Sequence, residues 1–140
     1  MTGRVNTIRV LIKRISKQNL WPLNFFMSHE KHHKMIEALN ACADECNHCA
    51  VACLEEKDVQ SLVRCIKLDI DCAEICRVTA SFAARGSDHM MHLMKACEEL
   101  CDACAEECER HADHLEHCKK CAEACRHCAE ECRAMTGEMA

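Results

Sequence analysis

Downstream of residue 27, small or apolar residues recur in steps of four and three, and charged or polar residues fill most positions between them. Such steps keep side chains on one stripe of an α-helix. The stripe breaks between residues 56 and 58, at 85–87 and at 110–113, which predicts four helices. The first runs from about Ser28 to Glu56, with Ser28 as N-cap and Glu30 in the first turn. The second starts near Asp58, another N-cap candidate, and ends before Arg85-Gly86-Ser87, where Gly86 suits a helix C-terminus. Ser87 or Asp88 caps the third, which extends from about Asp88 to Arg110. The fourth starts near Asp113, with Glu116 three residues on in capping-box fashion, and runs to about Gly137. Short connections make neighbours antiparallel. The predicted fold class is therefore all-α, an up-down-up-down four-helix bundle.

The stripe positions are cysteines. Cys-x3-Cys-x2-Cys-x3-Cys occurs at Cys42, Cys46, Cys49 and Cys53, at Cys97, Cys101, Cys104 and Cys108, and at Cys121, Cys125, Cys128 and Cys132. Cys65, Cys72 and Cys76 make a fourth copy with Asp69 in its second slot, and Cys118 extends the last copy by one step of three. Stacking the copies level for level gives four expected layers: Cys42, Cys76, Cys97 and Cys132; Cys46, Cys72, Cys101 and Cys128; Cys49, Asp69, Cys104 and Cys125; Cys53, Cys65, Cys108 and Cys121. Beyond the first layer the stripes continue into Leu39, Met35, Met90, Met94, Met135 and Met139, an apolar end rich in thioether. Beyond the last they reach Glu56, Leu62, His111 and Cys118, with His114 and His117 nearby, a polar end.

Residues 1–27 differ in kind. They carry Arg4, Arg9, Lys13, Arg14 and Lys17 and no acid, so this segment is +5 and the remainder −10 of a net charge of −5. They lack the apolar run of a signal peptide, and no membrane-spanning stretch follows. The expected organisation is a basic N-terminal extension over 1–27 and a bundle domain over 28–140. An acidic body argues against nucleic acid as the main partner, and stable membrane insertion is not expected.

Sixteen cysteines in 140 residues call for a chemical role. A single buried cysteine acts as a small hydrophobe, but four registered copies are an oxidation liability unless the thiols are used. Disulfides within a helix are strained, because neighbours at i and i+4 have Cβ atoms about 5–6 Å apart and a disulfide wants about 3.5–4.5 Å. A thiol-rich core is easiest to maintain in a reducing cytosol. Thiolate selects Cu(I), Zn(II) or iron–sulfur clusters. Charge favours Cu(I): one Cu(I) per thiolate is neutral, whereas a Zn(II) with four thiolates buries −2 at each site. Zn(II) or another soft ion remains the alternative.

On these motifs, residues 28–140 resemble the bacterial copper-storage proteins of the cytosolic branch, a family of cysteine-filled four-helix bundles. The resemblance implies cytoplasmic storage of multiple Cu(I) ions, held mostly by the Cys-x3-Cys pairs Cys42/Cys46, Cys49/Cys53, Cys72/Cys76, Cys97/Cys101, Cys104/Cys108, Cys121/Cys125 and Cys128/Cys132. It also implies a homo-oligomer, typically a tetramer, with metal entering at one open end. Asp69 departs from the pattern and leaves Cys65 without its helical partner. No singular tuned site stands out, as a copper enzyme or electron carrier would need, so no enzymatic activity is expected.

Among the histidines, His111, His114 and His117 cluster beside Cys118 and are candidate ligands at the entrance. His29, His32, His33, His48, His89, His92 and His127 are expected at the surface. The second helix carries further apolar stripes, Val59, Val63, Ile66 and Ile70, and Leu68, Ile75 and Phe82, which predict subunit contacts built partly on it.

Overall fold

A computed structural model describes the backbone of residues 20–139 and the side chains of residue 30 and residues 32–137. The described residues form four α-helices, α1 (Leu20–Leu54), α2 (Val63–Ala84), α3 (Met90–Glu109) and α4 (Glu116–Met139), with a 3-10 turn at Val59–Leu62 leading into α2. Among the described residues the backbone of α1 packs on α2, α2 on α3, α3 on α4 and α4 back on α1, while across the diagonals only side chains meet, on the axis. The helices thus form a closed ring around one axis, and the cysteine stripes meet on that axis.

The helix boundaries differ from expectation, each for a local reason. Helix α1 (Leu20–Leu54) runs unbroken through Ser28, so Ser28 is not an N-cap. Asp58 makes no side-chain cap; instead its carbonyl accepts from Ser61 Oγ at 2.9 Å. Asp113 does not start α4 either, because bonds from His114 N and Leu115 N to His111 O (3.2 and 3.0 Å) extend the preceding turn, and the helix starts at Glu116. At the α2–α3 corner Gly86 has φ 61°, a left-handed value that suits glycine. Gly86 N bonds Ala83 O (3.0 Å) and Ser87 N bonds Phe82 O (3.1 Å), the paired bonds of a Schellman stop. Ser87 Oγ then accepts from His89 N at 3.2 Å.

The core is built from small and soft residues. All sixteen cysteines are reduced and buried. Ala43, Ala50, Ala73, Ala105, Ala122 and Ala129, each following a stripe cysteine, are buried too. Standing about 100° round the helix from those thiols, they let neighbouring helices approach closely. Met35, Leu39, Met90, Met94 and Met135 close one end of the bundle, as expected, and His32 is buried beside them on the stripe rather than at the surface. The side chain of Met139 lies outside the described residues. His33, His48, His89, His92 and His127 are exposed. On the outer face, Arg126 bridges Glu109 and Asp102 (2.8 and 3.0 Å) and Arg133 bridges Glu98 and Asp102 (2.9 and 2.8 Å), tying α3 to α4. Arg77 pairs with Asp44 between α2 and α1. No helix among the described residues is long and apolar enough to cross a membrane.

The candidate metal centre

The i, i+4 spacing brings sulfurs together along each helix: Cys42–Cys46 at 3.9 Å, Cys49–Cys53 at 3.9 Å, Cys72–Cys76 at 4.0 Å, Cys97–Cys101 at 3.8 Å and Cys121–Cys125 at 4.0 Å. Pairs between helices are equally close. Cys46 lies 3.5 Å from Cys125 and 3.6 Å from Cys121, Cys65 3.5 Å from Cys108, and Cys76 3.7 Å from Cys97 and 3.9 Å from Cys128. Cys104 belongs to a quartet with Cys46, Cys121 and Cys125. Cys132 occupies the next step beyond Cys128 and is fully buried. The sulfurs therefore form one continuous array along the bundle axis.

The layers are offset from the expected stacking. The α2–α3 register is as expected, with Cys72 3.6 Å from Cys101. Relative to α2, however, α1 and α4 each slide by one stripe step: Cys42 meets Cys72 at 3.9 Å rather than Cys76, and Cys72 meets Cys125 at 4.0 Å rather than Cys128. The cause lies in the connections. The 3-10 turn places Leu62, 3% exposed, as a core residue ahead of Cys65. The tight α3–α4 turn draws Cys118, 0% exposed, fully inside, where it lies 3.8 Å from Cys49 and 4.0 Å from Cys53.

Asp69 stands in the tube where a thiol would complete the pattern, and it is 0% exposed. Its Oδ1 accepts from Cys104 (3.1 Å), Cys121 (3.2 Å) and Cys108 (3.6 Å), and its Oδ2 from Cys65 (3.8 Å). Burial, reinforced by the neighbouring Cys121, Cys104 and Cys65, pushes its pKa up to about 11. Asp69 is thus a neutral carboxylic acid at neutral pH. Burial is also the largest cause raising the Cys53 thiol, followed by the charges of Cys65 and Cys118.

The three candidate histidines have different surroundings. His117 directs Nδ1 at the thiols, 3.5 Å from Cys49, 3.8 Å from Cys53 and 3.5 Å from Cys118, while its Nε2 lies 3.2 Å from Glu56 Oε1. His111 turns away: its Nε2 is 3.3 Å from Glu107 Oε1. His114 is exposed and, with His111, Leu115, Glu55, Glu56 and Asp58, lines a cavity of about 530 Å³ at this end. Glu107 is a buried residue that its type alone does not mark. It is 6% exposed and held by Arg64 and Arg110, both at 3.3 Å. The one signal in the sequence is its place beside Cys108, three residues after Cys104 and at the edge of the stripe.

Similar proteins carry comparable arrays. The structure of the copper storage protein Ccsp from Streptomyces lividans, loaded with 10 copper equivalents, has a TM-score of 0.75 and 40% identity, covering 77% of this chain and 85% of that one. The Cu(I)-bound copper storage protein BsCsp3 has a TM-score of 0.71 and 40% identity, covering 75% and 97%. The cysteine-rich protein YhjQ of Bacillus subtilis is 44% identical over 67 residues, which is 48% of this chain and 62% of that protein, so the match spans less than two thirds of that relative. With residues 28–137 matching the family's own description, the chain belongs to the copper storage protein family.

Proposed function

We propose that this protein stores multiple Cu(I) ions in the cytoplasm, on the thiolates that line its bundle. The observation that carries this reading is the continuous array of sixteen buried thiols, most of them within 4.0 Å of another sulfur. A linear two-thiolate site needs about 4.6 Å between sulfurs and a trigonal one about 4.0 Å, for metal–sulfur bonds of about 2.3 Å. Helical pairs at 3.8–4.0 Å reach either by small side-chain rotations. Neutral copper–thiolate pairs suit a core with no counter-charge. The S. lividans relative described as a cytosolic copper storage protein supports the compartment.

The ligands are the sixteen cysteines and His117, with His111 and His114 serving incoming ions at the mouth. The working domain is 28–140, and residues 1–27 are an appended basic segment; the family match beginning at residue 28 supports that division. The protein turns over no substrate, since its interior is a filled array rather than a site with one open position. Exposed Val63, Ile70 and Val78 on α2 support subunit contacts there, and a tetramer is the assembly proposed. Ile66, Leu68 and Ile75 instead pack against the protein's own core.

The test is anaerobic titration of the reduced protein with Cu(I) against a soft competing chelator. Retention in numbers comparable to the thiols is expected; saturation at about four ions or fewer, with Zn(II) preferred, overturns the reading.

A further inference from the structure

We propose that the mouth of the bundle is a metal site of a second kind: a closed tetrahedron of Cys49, Cys53, Cys118 and His117 that takes one divalent ion of the zinc class. This goes beyond Cu(I) storage and does not depend on it.

A tetrahedral ion with metal–sulfur bonds of about 2.3 Å and a metal–nitrogen bond of about 2.0–2.1 Å needs edges of about 3.8 Å between sulfurs and about 3.5 Å from sulfur to nitrogen. All six edges are present. The sulfur–sulfur separations are 3.9, 3.8 and 4.0 Å, and the separations from His117 Nδ1 are 3.5, 3.8 and 3.5 Å. Thiols in contact fall near such distances anyway, so three further features single this quartet out.

The first is the imidazole. Glu56 Oε1 lies 3.2 Å from Nε2 and accepts its proton, which leaves the Nδ1 lone pair facing the three sulfurs. A carboxylate fixing the far nitrogen of a ligating histidine is the usual outer arrangement of zinc sites. The second is charge. The quartets deeper in the tube, such as Cys76, Cys97, Cys101 and Cys128, offer four thiolates and would bury −2 around a divalent ion. Here three thiolates and a neutral imidazole leave −1, beside an imidazole 13% exposed to solvent. The third is the ligand set itself, since Cys3His is a recognised structural zinc combination with no open position. The donors come from the last turns of α1 and the first turn of α4. A bound ion therefore ties these two helices together at the mouth and favours the folded chain.

The experiment is anaerobic titration of the reduced, copper-free full-length chain with Co(II), whose visible bands report tetrahedral coordination and whose charge-transfer bands report thiolate. The expected result is one equivalent with a tetrahedral, thiolate-bearing spectrum, displaced by Zn(II). Cys118→Ser and His117→Ala abolish it, Cys76→Ser leaves it intact, and Glu56→Ala weakens binding about 10–100-fold while the tetrahedral bands persist. Helical circular dichroism is measured on the same samples, so that a variant failing to bind Co(II) is known to be folded, and Cu(I) capacity is measured beside it. Octahedral spectra, binding indifferent to Cys118→Ser, or several equivalents lost equally in Cys76→Ser would each overturn the proposal. A protein that takes many Cu(I) ions but no Co(II) sinks this inference alone; one that takes a single Co(II) and no Cu(I) sinks the storage reading and leaves this one standing.

Discussion

Cys104 donates its thiol proton to Asp69 Oδ1 across 3.1 Å, which places the one carboxyl of the inner stripe in direct contact with the thiol array. With its pKa raised to about 11, Asp69 keeps a proton in the folded chain that it loses near pH 4 when unfolded. The folded state therefore binds the extra proton between these limits. Stability contributed by Asp69 is complete below about pH 4 and is lost as pH rises towards the folded value, with a slope approaching about 1.4 kcal/mol per pH unit for one proton. Denaturant unfolding of the metal-free protein from about pH 4 to 9 should show Asp69→Asn gaining on the parent as pH rises. A constant difference between the two would contradict the protonated assignment.

Replacing Asp69 by cysteine should raise Cu(I) capacity. A carboxyl oxygen is a hard donor for a soft ion, and a thiol there would pair with Cys65 along the helix and meet Cys104 and Cys121 across it. Counting ions retained in Asp69→Cys against the parent checks this; equal capacity counts against it.

Loading should release protons, close to one per thiol engaged, because an ordinary thiol is mostly protonated at neutral pH and each must ionise to bind. A pH indicator in weakly buffered solution measures the yield, and stopped-flow uptake should accelerate with rising pH.

Of the three mouth histidines, His117 alone contacts sulfur in the structure. His117→Ala should therefore slow Cu(I) loading more than His111→Ala or His114→Ala. Equal slowing would mean that ions are handed on from the outer cavity rather than received at the thiols.

Leu39 and Met94 are fully buried at the closed end. Leu39→Ala should destabilise the metal-free protein by about 2–5 kcal/mol and leave the rate of copper loading unchanged. A faster rate would reveal a second way in.

The stripe was readable because cysteine repeated at steps of three and four lines one helix face with thiols, a pattern that only a shared use of those thiols requires. The Schellman stop at Gly86 was readable because glycine there marks a left-handed residue. The register was not. Sliding α1 or α4 by one stripe step exchanges one cysteine for another, so a uniform stripe carries no information about level; Cys42 faces Cys72 rather than Cys76 because of the Val59–Leu62 turn, whose length no cysteine encodes. The same uniformity hid Glu107. Glu107 is buried, and only packing shows that Arg64 and Arg110, themselves exposed, reach it from the surface. His32, expected outside, is buried by the stripe it shares with Met35.

The methionine-packed end also fixes an order of events. Sulfurs spaced along a single axis, with one polar mouth, make the interior a stack in the programmer's sense: ions that enter first are pushed deepest and leave last. The Cys76, Cys97, Cys128 and Cys132 level would then hold the long-term reserve, and the thiols around Cys49 and Cys118 the ready supply. A full protein would release its first ion from the mouth, and a partly filled one from a deeper level.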